Sequence, residues 1–196
     1  MTFDFIALDF ETANEKRGSV IQVGLSKFRN SELVGTHSVF VTPPPGMAYF
    51  LPRNTAVHGI TRDQIVGAPE WPNLLERIDR VRGNYPIVAH NAAFERSVID
   101  RASEAYGIAP PPFQYLCTMK LAKVSFPDEP NHKLGELSRR LGLPEFEHHD
   151  AGADAEACAR LLFEIARRRG ADAIESFPLR EWLLPPAKAK RQPRSV

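Results

Sequence analysis

Residues 3–12 read FDFIALDFET, and this stretch decides the fold. Its apolar residues predict a buried β-strand that ends with two acids, Asp9 and Glu11. Because successive strand side chains alternate between faces, residues two apart point the same way, and both carboxylates share one face. Two negative charges in a poorly solvated site repel each other, and a hard divalent cation between them relieves that repulsion. Taken alone, the pair fits a strand end exposed to solvent better than a metal site, so the rest of the chain has to decide.

The length and composition suit a single domain. The chain has 196 residues, of which 43% are hydrophobic and 25% charged, as in an ordinary globular protein. We expect one domain over residues 1–184 and a basic tail without stable structure over residues 185–196, where four cations and no acid occur. Such a tail is also suited to touch a polyanion.

Membrane association and secretion are not expected from this sequence. No apolar run approaches the roughly 20 residues that cross a bilayer, and the N-terminal residues do not resemble a leader peptide. The two cysteines, Cys117 and Cys158, are too few for a disulfide framework. They predict a reducing, cytoplasmic location.

The order of predicted elements indicates an α/β fold. Strand-like segments occupy residues 3–12, 19–28 and 33–41, and the short turns between them favour an antiparallel meander. Short strands are predicted at 85–90 and 113–117. A first helix is predicted to begin at residue 62, with Thr61 as its cap, and to end before the region of Pro69. Five more are predicted at about 72–82, 91–106, 118–124, 134–141 and 151–169, and Asn91 is the predicted cap of the helix that runs to about residue 106. This order predicts a mixed sheet with helices packed on its faces.

Two predicted helices each begin an apolar stripe with an acid. Glu95 lies three, four and seven positions before apolar residues, and Asp154 lies four, seven and eleven positions before apolar residues. Both acids should therefore face the core. His149 lies just upstream of Asp154 in a loop, within reach of whatever Asp154 binds. The alternatives are that Glu95 only favours the helix dipole and that His149 is structural.

Four inward acids and one histidine, if they converge, suit two-metal hydrolysis of a phosphodiester. In that chemistry, one ion lowers the pKa of water and the pair stabilises the attacking and leaving oxygens. A histidine, with an ordinary pKa of about 6.5, is suited to take the proton from that water. Zinc is less suited, because the predicted ligands are mostly oxygen atoms without paired thiolates.

Three motifs resemble those of the DnaQ-like 3′–5′ exonucleases of the DEDDh group. They are DFET at residues 9–12, HNAAFE at 90–95 and HDAGAD at 149–154. The segments 57–61 and 133–137 also resemble sequences of this family. The resemblance covers about residues 3–169. It implies an RNase H-like fold, with a five-stranded mixed β-sheet flanked by α-helices, and two divalent cations, Mg²⁺ or Mn²⁺.

The resemblance also implies roles for individual residues. Asp9 would bridge the two ions, Glu11 and Asp154 would ligate the ion that activates water, and Glu95 would serve the second ion. His149 would be the general base, whereas His148 is one residue out of register and is not chosen. The positions that match family residues around the terminal nucleotide are Thr12, His58, Asn91 and Phe10. For Phe10 a core role is equally open.

One departure from the family concerns Glu95, where the family usually has Asp. The extra methylene moves the carboxylate by about 1.5 Å, while Mg²⁺ demands strict geometry. Normal activity, a preference for Mn²⁺ and a weakened second site all stay open.

We expect a metal-dependent 3′–5′ exonuclease that releases nucleoside 5′-monophosphates from single-stranded 3′ ends, with DNA favoured over RNA. The alternatives are an RNA-trimming exoribonuclease and a catalytically weakened RNase H-like module that binds nucleic acid. The expected partners are single-stranded DNA or RNA 3′ ends, and a DNA polymerase or repair complex is a further candidate. Apolar residues at positions 177–184 leave a homodimer open.

Overall fold

The computed structural model describes residues 4–169 and the backbone of residues 183 and 184. The predicted tail, 185–196, and most of the apolar segment expected near the C-terminus lie outside the described residues. One sheet contains six strands in the order β3-β2-β1-β4-β5-β6. The strands are β1 Phe5–Thr12, β2 Val20–Arg29, β3 Glu32–Phe40, β4 Ile87–Ala89, β5 Tyr115–Cys117 and β6 Leu183–Leu184.

The sheet is mixed, as predicted. Strands β1, β2 and β3 form an antiparallel meander, while β4 pairs in parallel with β1 and with β5. These are the five strands of the RNase H-like fold that the sequence predicts. The two-residue strand β6 was not predicted, and it extends the sheet by pairing antiparallel with β5.

Helices pack on both faces of this sheet. They are α1 Pro52–His58, α2 Trp71–Arg82, α3 Ala92–Ala105, α4 Thr118–Ser125, α5 Leu134–Arg140 and α6 Ala151–Arg168. The helix predicted from Thr61 is only a four-residue 3-10 helix, Arg62–Ile65.

The helix α1 was missed because it has no apolar stripe. None of its residues is buried, so the sequence has no hydrophobic periodicity that would predict this helix. It begins with Pro52 and ends at Gly59, which takes a left-handed conformation with φ 71°. The Asn54 side chain fixes it to the sheet by donating to the backbone oxygen of Thr12 at 3.0 Å.

The alternation of side chains along β1 divides the core into two layers. Phe5 and Ala7 pack with the buried residues of α4, α5 and α6. Ile6, Leu8 and Phe10 pack with those of α2 and α3. Asp9 and Glu11 continue the first row, so their carboxylates lie on the side of the sheet that α6 covers.

Two further expectations concern the helices and the cysteines. None of the helices within residues 4–169 combines the length and the apolarity that a bilayer crossing requires. Cys117 and Cys158 are both buried free thiols.

Candidate active site

Two glycines let the start of α6 lie directly on the sheet. A Cβ on Gly24, in β2, would lie 1.8 Å from the backbone oxygen of Ala151. A Cβ on Gly152, in the first turn of α6, would lie 2.4 Å from Oγ of Ser38. Gly24 is also the β2 partner of Asp9. The close approach therefore carries the first turn of α6 over the acidic end of β1.

The result is a compact cluster of three carboxylates. Ligand oxygen atoms of Asp9, Glu11 and Asp154 all lie within 4.8 Å of one another. Asp154 is buried, and its side chain faces the sheet from the stripe that the spacing predicted. Two of these acids come from a strand and one from a helix, and the three converge as the sequence suggested.

The cluster is electrostatically unfavourable without cations. Burial, followed by the charges of Asp154 and Glu11, holds the pKa of Asp9 well above its ordinary value. Burial and the charge of Asp154 raise the pKa of Glu11 to about 8. Burial also raises the pKa of Asp154, although the neighbouring His148 opposes that rise. Carboxylates held this close retain protons until a cation replaces them.

Glu95 adds a fourth acid from the other side of the sheet. Its side chain is 2% exposed, and Val98, Ile99 and Ala102 of the same helix are buried beside it. Burial and the charge of Asp9 raise the pKa of Glu95. Its Oε2 atom is buried and makes no hydrogen bond to any part of the chain that the structure describes.

These donors fit hard divalent cations. The four acids supply only oxygen atoms, which Mg²⁺ and Mn²⁺ prefer. The buried, unpaired Oε2 of Glu95 would gain a partner from an ion or from water held by an ion. Glu95 does not belong to the group of three carboxylates that lie within 4.8 Å of one another. This position is consistent with Glu95 as a ligand of a separate ion.

His149 reaches the cluster through an unusual backbone. Its φ of 72° is left-handed, and its N–H donates to Oδ2 of Asp154 at 2.7 Å. Burial and the charge of neighbouring His148 lower the pKa of the His149 imidazole. The imidazole is therefore mostly neutral at pH 7 and can accept a proton.

The sequence reasoning missed the role of His148. Nδ1 of His148 lies 2.7 Å from Oδ1 of Asp154. The two histidine rings stack with centroids 4.0 Å apart and an interplanar angle of 13°. The register of the motif excluded His148, and no rule of sequence spacing predicts its contact with Asp154.

Asp150 and Gln22 also support the site. Oδ1 of Asp150 caps α6 by accepting from the N–H of Ala153 at 2.9 Å. Gln22, the β2 partner of Glu11, donates from Nε2 to Oδ2 of Asp150 at 3.3 Å. An acid immediately before an apolar-periodic helix is a capping signal, which identifies Asp150 from sequence. The charge of Asp150 adds to the rise in the pKa of Glu11.

Two of the four predicted substrate positions, Thr12 and His58, lie near the acids and His149 along the chain or in space. Thr12 follows Glu11 at the end of β1. His58 ends α1, and its Nδ1 accepts from the N–H of Ile60 at 3.0 Å. The charge of His149 contributes to lowering the pKa of His58, which places the two imidazoles near each other.

Asn91 and Phe10 differ from expectation. Asn91 is exposed and occupies the N-cap position of α3, as predicted, but its backbone is left-handed (φ 69°) and its side chain makes no capping hydrogen bond. Phe10 is buried, with its ring centroid 6.0 Å from that of Trp71. The described contacts of Phe10 therefore support the core role that the sequence left open.

Acids and a histidine gathered at the ends of central strands, in an RNase H-like sheet, define a hydrolase of the nuclease class. The model of the RNase_T family, described as exonuclease, matches residues 6–162. The chain belongs to this family, as its resemblance to the DnaQ-like 3′–5′ exonucleases predicted.

Relatives of known name are PolC-type DNA polymerases III. The chain is 27% identical over 173 residues to the enzyme of Bacillus cereus and 30% identical over 163 residues to that of Clostridium perfringens. These matches cover 87% and 81% of this chain but 12% and 11% of the relatives. The chain thus spans only a small part of the length of the polymerases it matches.

Solved structures with the same fold are exonucleases. Exonuclease X in complex with 5′ overhanging duplex DNA superposes with a TM-score of 0.68 at 25% identity, over 85% of this chain and 93% of that one. The nuclease domain of 3′hExo, a DEDDh family member bound to rAMP, gives 0.71 at 19% identity over 87% and 94%. Exonuclease I of E. coli with a dA16 oligonucleotide gives 0.72 at 17% identity over 86% and 42%. The last two likenesses show the fold alone.

Proposed function

We propose that this chain removes nucleotides one at a time from the 3′ end of single-stranded nucleic acid, with DNA favoured, and releases nucleoside 5′-monophosphates. One observation carries the proposal. The ligand atoms of Asp9, Glu11 and Asp154 lie within 4.8 Å of one another, beside a buried, unpaired oxygen of Glu95. Such a cluster is unfavourable unless divalent cations occupy it.

Four residues would hold two divalent cations, Mg²⁺ or Mn²⁺. Asp9 would contact both, Glu11 and Asp154 one of them, and Glu95 the other. When bound, the cations would lower the pKa of a water molecule and stabilise charge on the attacking and leaving oxygens of the phosphodiester.

The histidines would handle the proton of the attacking water and hold Asp154, and the neighbouring polar residues would bind the terminal nucleotide. His149 takes the proton of the attacking water on an imidazole nitrogen, which its lowered pKa keeps free at neutral pH. His148 holds Asp154 by its 2.7 Å contact. Thr12, His58 and Asn91 would contact the terminal nucleotide, while Phe10 would support Asp9 from the core.

The relatives support DNA as the substrate and a DNA polymerase or repair complex as a partner. The curated relatives are DNA polymerases, and exonuclease X, at 25% identity, was solved with DNA. An RNA-trimming activity is the alternative within the same chemistry, because the metal-assisted step acts on the phosphodiester, which DNA and RNA share, and only a contact with the 2′-hydroxyl would separate the two.

The experiment incubates a 5′-labelled single strand with the protein and Mg²⁺ or Mn²⁺. We expect a stepwise ladder of shortened products that disappears in Asp154→Asn. Glu164→Gln, on the same helix but paired with Arg167 on the surface, should cleave as the wild type does. A strand that stays intact with both metals would overturn the proposal, and binding without cleavage would favour a nucleic-acid-binding module. Matched DNA and RNA strands then separate the two substrates.

A further inference from the structure

Arg17 is an exposed cation stacked on the residue that precedes Glu95. It lies in the loop between β1 and β2, and its guanidinium carbon is 4.1 Å from the ring centroid of Phe94. Phe94 immediately precedes Glu95 in the first turn of α3. The positive charge of Arg17 lowers the pKa of Glu95, against the larger effects of burial and of Asp9. The guanidinium therefore lies on the Glu95 side of the cluster.

The loop that carries Arg17 is held firmly. Asn14 is buried, and its Nδ2 donates to the backbone oxygens of Met47 and Tyr49 at 2.8 and 2.7 Å. The Ser19 hydroxyl donates to the backbone oxygen of Lys16 at 2.7 Å. A Cβ on Gly18 would lie 2.9 Å from the sulfur of Met47, so the loop packs tightly against its neighbours. Arg17 is thus presented from a fixed backbone.

The stacking leaves the polar edge of Arg17 open. Among the residues that the structure describes, Arg17 makes no hydrogen bond or ion pair. A guanidinium stacked on an aromatic face keeps its N–H groups in the plane of the guanidinium, where they can bind a phosphate with two parallel hydrogen bonds.

We propose that Arg17 binds a backbone phosphate of the substrate strand at the Glu95 side of the cluster and positions the strand for cleavage. The inference rests on the proposed function. A fixed guanidinium beside Glu95 attracts the phosphates of the strand towards the acids. Arg17 is thus a substrate-positioning residue, and it takes no part in proton transfer.

Lys16 provides a matched control in the same loop. Its Nζ donates to the backbone oxygen of Gly46 at 3.0 Å and lies 5.4 Å from the ring centroid of Tyr49. Lys16→Ala removes the same charge as Arg17→Ala, but from a cation that is already engaged. Arg17→Lys keeps the charge and loses the planar fork.

The test measures binding of a fluorescein-labelled single strand by anisotropy, in an Asp154→Asn background that does not cleave. We expect Arg17→Ala to weaken binding about 10-fold at low salt. The slope of log affinity against log salt concentration should become shallower by about 0.7, the contribution of one phosphate contact on a single strand. Lys16→Ala should change the strand affinity less than about 2-fold. The strand affinity of Arg17→Lys should lie between those of Arg17→Ala and Lys16→Ala. In the cleaving protein, Arg17→Ala should raise KM more than it lowers kcat.

Three results would overturn the inference. The first is equal effects of Arg17→Ala and Lys16→Ala on strand affinity. The second is an unchanged strand affinity of Arg17→Ala with an altered Mn²⁺ affinity. The third is no strand binding by the Asp154→Asn protein that keeps Arg17. The second result would mean that Arg17 only balances the negative charge of Glu95. Melting curves of each variant reveal misfolding. Arg17→Gln, which keeps a planar group over Phe94, tests whether the phosphate contact alone is lost. Failure of the proposed function has another signature, since the strand would then bind in an Arg17-dependent way and never shorten.

Discussion

Replacing Glu11 by Gln should stabilise the metal-free protein at alkaline pH and weaken its response to metal. In the unfolded chain the pKa of Glu11 is 4.5, and in the folded protein burial and Asp154 raise it to about 8. Below pH 4.5 the group is protonated in both states and carries no penalty. As pH rises from 4.5 to 8 the unfolded chain ionises first, so stability of the folded state is lost across that window.

The size of the effect follows from the two pKa values. At about 1.4 kcal/mol for each tenfold change in the ionisation constant, the penalty reaches at most about 5 kcal/mol above pH 8. Because part of Glu11 faces solvent, a value of about 2–5 kcal/mol is more realistic. For a chain of this length, each kcal/mol moves Tm by about 2–4 °C. Glu11→Gln should therefore raise Tm by roughly 4–20 °C at pH 9 in EDTA.

Thermal melting at pH 5 and pH 9, with EDTA and with Mn²⁺, is the assay. At pH 5 the variant and the wild type should melt at nearly the same temperature, and at pH 9 Mn²⁺ should stabilise the wild type more than the variant. Glu164→Gln, which breaks an exposed ion pair with Arg167, should produce only a small gap at both pH values. A variant that melts below the wild type at pH 9, or a gap that does not depend on pH, would refute the reasoning.

Three further substitutions test other parts of the site. Gly24→Ala should destabilise the protein by about 2 kcal/mol or more and reduce cleavage, because its Cβ would lie 1.8 Å from the backbone oxygen of Ala151, whereas Gly35→Ala, with 3.8 Å of room, should melt like the wild type. His149→Ala should lower kcat about 100-fold or more. At saturating metal the wild-type rate should fall only at a pH below the ordinary histidine pKa of about 6.5, since the pKa of His149 is lowered. A pH–rate profile of the variant that lacks this fall at acidic pH checks the assignment. Glu95→Asp should lower the ratio of the Mn²⁺-supported to the Mg²⁺-supported rate, because Mg²⁺ tolerates a displaced ligand less well, and an unchanged ratio at saturating metal would count against Glu95 as a metal-serving residue.

The parts of the fold that follow a hydrophobic period could be predicted from the sequence. The strand that carries Asp9 and Glu11 is buried up to its acids, so the alternation of its side chains was readable. On α3 and α6 the 3.6-residue period identified which face meets the sheet, and this placed Glu95 and Asp154 correctly. A periodic pattern shows which way a side chain points, and these directions were enough to predict that the acidic side chains approach one another.

The parts that depend on backbone turns or on single contacts could not be predicted. Helix α1 buries no side chain, so its existence depends on Gly59 and on the bond from Asn54. His148 contacts Asp154 from a turn in which the next residue, His149, takes a left-handed backbone, and sequence spacing encodes neither feature. Strand β6 pairs only two residues with β5, too few for any alternation to be visible.

The same features that would make the cluster catalytic also make the metal-free protein less stable. Gly24 and Gly152 allow α6 to press Asp154 onto Asp9 and Glu11, and that approach raises the pKa of all three acids. Near pH 7 protons therefore compete with metal for the same oxygens, and metal binding must release protons. Metal affinity should rise with pH up to about 8, where Glu11 ionises without help. The pH dependence of cleavage at limiting metal thus reflects the acids, and at saturating metal it reflects His149.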